Sequence, residues 1–239
     1  MDNISFFDGE EKQTHTYFLY VWLIEGGGYP ILVDTGPNPR YLERFNQKTS
    51  AYIPGGIQQT TEENTLNALK RYGVEPADIR HVIVTHLHED HYNYFDAFPN
   101  ARLVVNKQEF ENQRANLAAH IRDVINRRPD CLQLVEDETL VPGIETVPLG
   151  SHTVGSQGIL VQTWMGNVFI TGDVAYLYEN IESNRPARNK LDTTEADREE
   201  NLRALMKIRS LADIIVPAHD PLTLERWGQG IIGGLQRSQ

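Results

Sequence analysis

Five histidines and two aspartates carry most of the chemistry legible in this chain. His86, His88, Asp90 and His91 stand almost side by side, and His152, Asp173 and His219 follow at long intervals. Imidazole nitrogens and carboxylate oxygens are donors with which proteins hold divalent metals, and such a set can hold two ions. Two ions in one cavity make hydroxide from water at neutral pH and polarise a carbonyl, which is most of what a hydrolase needs. A lone histidine is usually a surface or hydrogen-bonded residue. His15, His81 and His120 lack such neighbours and are read that way.

Each donor is expected just past the end of a strand. The apolar, β-branched run 81–85 reads as a buried strand that delivers the chain into the histidine cluster. In an extended segment residues two apart share a side, so His86 and His88 can face one ion, while Asp90 and His91 follow where the chain turns and can face a second. Residues 16–24 and 30–34 read as a hairpin across the glycines 26–28. Further strands are expected at 102–105, 145–149, 158–163, 167–171 and 213–216. Helices are expected over 61–72, stopped by Gly73, and over 107–119 and 194–209. His152 then lies in a glycine-containing turn, and Asp173 and His219 follow the strands 167–171 and 213–216. Residues 180–192, rich in Asn, Arg and Pro, read as a loop. Each half offers strands followed by a helix, which implies an α/β protein with two βα layers packed face to face.

Bulk properties remove several classes of function. The 239 residues suit one domain, and 40% hydrophobic with 23% charged residues fits a globular protein. A net charge of -11 argues against a nucleic-acid partner, whose phosphates call for a basic patch. No window approaches the roughly 18 apolar residues of a membrane span, and the acidic start lacks the basic and apolar segments of a secretory signal. Cys131 is the only cysteine, so no intrachain disulfide can form, which fits a reducing compartment. The expected address is cytoplasmic. Tyr17, Tyr20 and Trp22 form an aromatic stripe that either roofs a cleft or packs as core, and the aromatic N-terminal hairpin is the candidate contact of a homo-oligomer.

The pattern His86-x-His88-x-Asp90-His91, with His152, Asp173 and His219, resembles the metallo-β-lactamase superfamily over nearly the whole chain. The resemblance implies a four-layer αβ/βα sandwich formed by a single domain over residues 1–239, with the site at the sheet edges. It implies that His86, His88 and His152 hold one metal, that Asp90, His91 and His219 hold the other, and that Asp173 bridges them. Asp34, in an Asp-Thr-Gly run after the hairpin, matches a supporting residue of that superfamily. With nitrogen and oxygen donors and no thiolate, two zinc ions are the default, and iron, manganese or cobalt stay open. Zinc β-lactamases of the commonest kind place a cysteine where Asp173 stands, and flavodiiron proteins a glutamate where His88 stands. Neither matches. The spacings, and Asp173-Val-Ala-Tyr176 followed by Tyr178-Glu-Asn180, are similar to the N-acyl-homoserine lactonase family more than to glyoxalase II.

That resemblance implies attack of a metal-bridging hydroxide on a cyclic ester, with Asp90, Asp173 and Tyr176 as the catalytic residues. Tyr176 would donate a hydrogen bond to the carbonyl oxygen, and Asp173 would carry the proton to the leaving alkoxide. The alternative for Tyr176 is packing beside Tyr178. Glu89, and the bulky run Tyr92-Asn-Tyr-Phe95 where such lactonases carry small residues, imply a narrow, polar pocket and a compact ring as substrate. Arg185, Arg188 and Lys190 are either a contact for an acidic substrate group or a solvated basic stretch. An amide, ester or thioester hydrolase on the same site, and a mononuclear iron sulfur dioxygenase, are the competing readings.

Overall fold

A computed structural model describes residues 16–51, 53, 55–187, 193–228 and 232. They form two compact units. One runs from Leu19 to Val135, and the other joins residues 16–18 to the segment beginning at Glu136. His15, Arg188 and Lys190 lie outside the described residues. No helix among the described residues is long and apolar enough to cross a membrane.

The first unit is a five-stranded mixed sheet of β1 (Trp22–Ile24), β2 (Ile31–Val33), β3 (His81–Ile83), β4 (Arg102–Asn106) and β5 (Leu132–Val135), in that order. β1 and β2 are the antiparallel hairpin, registered Trp22 to Val33, and the other pairings are parallel. The apolar strands are buried, as parallel strands covered on both faces are, with Val33, Val82, Ile83 and Leu103 fully inside. Between them run α1 (Pro39–Thr49), α2 (Thr65–Arg71), α3 (Glu89–Tyr92), α4 (Lys107–Gln113) and α5 (Ala119–Arg127). Leu69 of α2 and Ile121 and Val124 of α5 pack into the same core as Leu32, Val82 and Leu103.

The second unit orders its strands β10-β9-β8-β7-β6, from β6 (Glu138–Val141), β7 (Ile144–Pro148), β8 (Gln157–Thr163), β9 (Gly166–Ile170) and β10 (Ile214–Val216). Here the pairings are antiparallel except β10 with β9. Its helices are α6 (Tyr178–Glu182), α7 (Glu195–Leu211) and α8 (Leu222–Arg226). α7 begins with a capping box, Thr194 accepting from the Asp197 amide while Asp197 accepts from the Thr194 amide.

Several expectations are corrected in detail. The hairpin strand expected over 16–24 is only β1, because the amide of Phe18 donates to the carbonyl of His219, 3.1 Å away, and not to β2. The helix expected over 107–119 breaks into α4, which ends at Gln113, and α5, which starts after Ala118: the Ala118 amide donates to the Tyr92 hydroxyl (3.0 Å) and its carbonyl opens the new ladder. α6 occupies the beginning of the segment read as a loop. α1 went unforeseen, although Asn38 caps it by accepting from the Tyr41 amide and Pro39 supplies a preset first turn. Gly73 does stop α2, at φ +73° with its amide on the Lys70 carbonyl.

Candidate metal centre

In the first unit β3 ends at Ile83, and the chain then passes through Thr85, His86 and His88 into α3, which carries Asp90 and His91. His86 Nε2 lies 2.9 Å from His88 Nδ1, and the rings of His86 and His91 are 4.1 Å apart between centroids. Asp90 Oδ2 is 3.7 Å from His91 Nε2. The loop is held from below by Asp34, which follows β2 in a left-handed conformation, φ +57°, that Asp tolerates better than most side chains. Its carboxylate accepts from the Thr85 amide (2.8 Å) and hydroxyl (3.0 Å) and meets His91 Nδ1 at 2.9 Å. A buried carboxylate with three such partners fixes the orientation of the imidazole. Asp34 therefore has the supporting position that the resemblance implied.

In the second unit three connections deliver one residue each. His152 follows β7, Asp173 lies in the 3-10 turn Gly172–Val174 after β9, and His219 follows β10. They meet at the carboxylate of Asp173, whose Oδ2 is 3.6 Å from His152 Nε2 and whose Oδ1 is 3.2 Å from His219 Nε2. All three are buried. His152 with Asp173, and Asp173 with His219, thus offer donor atoms within 4.8 Å of one another, close enough to share an ion.

Four of the five histidines follow one pattern. Nδ1 of His86 is 3.2 Å from the Thr85 hydroxyl, Nδ1 of His91 meets Asp34, Nδ1 of His152 is 3.3 Å from the Tyr176 hydroxyl, and Nδ1 of His219 donates to the Phe18 carbonyl at 2.8 Å. An imidazole whose Nδ1 is occupied in this way presents Nε2 as its donor, as histidines that ligate metals do. The residues present therefore fit divalent ions.

Tyr176 packs on the histidines and not on Tyr178: its ring stacks on His219, centroids 5.5 Å apart, and stands edge-on to His152. Tyr178 instead lies under the guanidinium of Arg226. Tyr17, from the expected aromatic stripe, stands edge-on to His219 at 5.1 Å and packs with Tyr176, Leu177 and Ala187.

The pocket-narrowing residues do not behave as expected. Tyr92 and Phe95 are core residues of the first unit, and burial pushes the Tyr92 phenol up to about 12. Glu89 pairs with Arg44 of α1 and accepts from the Asn93 amide group, 3.1 Å away. Arg185 likewise directs its guanidinium to Glu179 at 2.9 Å. His120, read as structural, accordingly meets the Asn93 carbonyl at 2.9 Å.

Four supporting residues escaped sequence reasoning. Glu109 of α4 is fully buried and accepts from the Leu87 amide (2.9 Å), between His86 and His88. Asn180 accepts from the amides of Tyr176 and Leu177, and Asp220 accepts from that of Tyr178, together shaping the segment after Asp173. Asn201 reaches both connections that carry His152 and Asp173. Only Asn180 carried a signal, through the Tyr178-Glu-Asn180 likeness.

A mixed sheet in each unit, with imidazoles and carboxylates gathered past the strand ends, is the architecture of an α/β metal-dependent hydrolase. The chain belongs to the metallo-beta-lactamase superfamily, whose family description matches residues 17–219. It is 30% identical to an N-acyl homoserine lactonase of a Bacillus species over 171 residues, 70% of this chain and 68% of the relative. It is 31% identical over 162 residues to metallo-beta-lactamase domain-containing protein 1 of Xenopus laevis, covering 67% of this chain and 62% of that one. Among solved structures it matches an N-acyl homoserine lactone hydrolase with the product N-hexanoyl-L-homoserine bound at its catalytic metal centre. That match has a TM-score of 0.73 at 26% identity and covers 93% of this chain and 89% of the other.

Proposed function

We propose that this enzyme opens an N-acyl lactone at a centre of two divalent metals, acting as a single catalytic domain over residues 1–239. His86, His88 and His152 would hold one ion, Asp90, His91 and His219 the other, and Asp173 both. The observation that carries this reading is the Asp173 carboxylate, which turns each oxygen toward a different imidazole Nε2. The family and the lactonase relatives support it. Nitrogen and oxygen donors make zinc the preferred metal. When bound, two such ions lower the pKa of water toward about 7 and polarise the substrate carbonyl.

The chain's own groups then do the rest. The Tyr176 hydroxyl accepts from His152 Nδ1, which leaves its own proton free to donate to the carbonyl oxygen as negative charge grows there. Asp90 orients the attack from its place beside His91. The ring C–O bond breaks as the new carboxyl C–O bond forms. Asp173 takes the proton from the attacking water and returns it to the departing alkoxide, giving an open hydroxy acid. Arg185 pairs with Glu179, which favours the solvated basic stretch over a contact for an acidic substrate group. A cytoplasmic address belongs to the same reading, since a sequence with Cys131 as its single cysteine, free and buried, fits a reducing compartment.

The test joins elemental analysis of purified protein to a pH-stat assay on N-hexanoyl-homoserine lactone, with an amide and a thioester of similar size alongside. Two ions per chain and lactone opening that a chelator abolishes are expected. Stoichiometric metal with turnover of only the amide or thioester would remove the lactone from the reading.

A further inference from the structure

The buried stripe on α7 consists of Asn201, Ala204, Leu205 and Ile208, the spacing of a core-facing helical stripe. Three of the four enter the apolar core. Asn201 breaks the pattern, a polar side chain at a core position with 1% of its surface exposed. Its amide group donates to the Ser151 hydroxyl (2.8 Å) and to the Val174 carbonyl (2.9 Å), and its Oδ1 accepts from the Ala187 amide (2.9 Å). Ser151 precedes His152 and Val174 follows Asp173.

The neighbouring Glu200 completes the arrangement. Its Oε1 accepts from the Ser151 amide at 3.0 Å. Gly150 and Ser151 are both left-handed, at φ +63° and +71°, and a Cβ on Gly150 would stand 2.7 Å from that same Oε1. A non-glycine residue persists in this conformation only where its surroundings over-determine it. Here one helical turn of α7 does so, from two side chains.

We infer that Glu200 and Asn201 are positioning residues that clasp the His152 turn to the Asp173 turn, setting the separation of two residues on which the metal centre depends. The inference rests on the proposed function, since it gives meaning to that separation only if His152 and Asp173 share an ion. A leucine at 201 would serve the core as well as its three neighbours do. An amide is needed where three backbone segments must be tied at one point and every polar group of the tie satisfied.

The test loads metal-free protein with cobalt and follows the visible absorption of the ion, with affinity measured by competition against a chelator. Asn201→Ala is expected to weaken cobalt binding about 10–100-fold and to alter the absorption bands, as loss of partners beyond the ligands does. Asn201→Asp keeps the shape and the acceptor for Ala187 but loses both donations, so it should move both readouts in the same direction. It decides the matter alone if the alanine variant does not fold. Asn167→Ala, which removes a hydrogen bond to the Leu211 carbonyl at the far end of α7, should lower melting temperature and leave cobalt affinity and spectrum unchanged. Wild-type affinity and spectrum in a folded Asn201 variant would overturn the clasp. Wild-type protein that binds no cobalt would instead overturn the proposed metal centre, and the clasp with it.

Discussion

The two units build their donor sets in opposite ways. In the first, His86, His88, Asp90 and His91 come from one short stretch between β3 and the end of α3, and a single carboxylate, Asp34, grips both Thr85 and His91. In the second, His152, Asp173 and His219 come from three connections far apart in sequence. Their supports are equally scattered: Tyr176 meets His152, Phe18 meets His219, and Asn201 holds Ser151 and Val174 beside His152 and Asp173. A contiguous set is cheap in loop entropy and moves as a block. A dispersed set is fixed only after the sheet has formed, by tethers that reach it from several elements, Asn201 tying two of its turns together. Damage to a support should therefore spread through the contiguous set of the first unit, and in the second should reach only as far as the turns which that support ties.

The largest effect is expected where the dispersed set converges. Asp173→Ala removes the one carboxylate that faces both His152 and His219, and lactone turnover should fall by about 10³-fold or more, with metal content reduced. Turnover within tenfold of wild type would break the comparison at its centre, because the second unit would then have no focus. Asp34→Ala comes next. It leaves the buried Thr85 amide without its acceptor and His91 without its tether, which should cost about 3 kcal/mol. For a chain of this size that is a fall of roughly 6–12 °C in melting temperature. Asp34→Asn, which keeps the left-handed backbone and an oxygen for Thr85, should lose less. Equal losses in the two variants would show that the neutral oxygen Asn retains contributes nothing and that the charge on Asp34 carries the whole grip.

The same contrast explains what could be read in the chain. The cluster from His86 to His91 was legible because its spacing is the geometry: residues two apart at a strand end, then one helical turn. His152, Asp173 and His219 were placed past strand ends because β7, β9 and β10 are apolar runs with clear stops. The single-domain boundary and the role of each donor drew on the resemblance and not on physical pattern. What stayed hidden was support across distance. Nothing in the local sequence of Glu109 or Asn201 announces a partner at Leu87, Ser151 or Val174, since a buried carboxylate or amide looks like any surface residue until the fold surrounds it. Tyr92 and Phe95 failed for the converse reason: proximity in sequence to the cluster suggested a pocket wall, whereas α3 and the 3-10 turn Phe95–Ala97 after it bury them in the core.

Tyr176→Phe sharpens the comparison by removing one polar contact of the second unit and leaving its packing in place. The phenyl ring can keep its stacking on His219, while the hydroxyl near His152 Nδ1 is lost. A fall of about tenfold or more in kcat, with little change in KM and normal metal content, is expected if the hydroxyl serves the transition state. Full turnover would remove Tyr176 from the reaction. A change in metal content without change in kcat would make it a tether of His152 only.

The smallest effect separates a bland histidine from the donors at the other end of the same strand. His81 begins β3, beside Arg102 on β4 and near the ring of Tyr29, and its Nδ1 is buried without a hydrogen bond. Burial first, and the Arg102 charge second, hold its pKa below the ordinary value. The folded protein thus resists a proton that the unfolded chain accepts near pH 6.5. The resulting stability is present above that pH and is lost as pH falls through the lower, folded value. Because the site is part exposed and screened, the wild type should lose no more than about 2 °C beyond what His81→Gln loses between pH 7.5 and 5.5. Metal-free protein is the right material for both variants, since loss of metal at low pH would otherwise add its own slope. Parallel melting curves for the two proteins over that range would show that His81 titrates alike in the folded and unfolded chain.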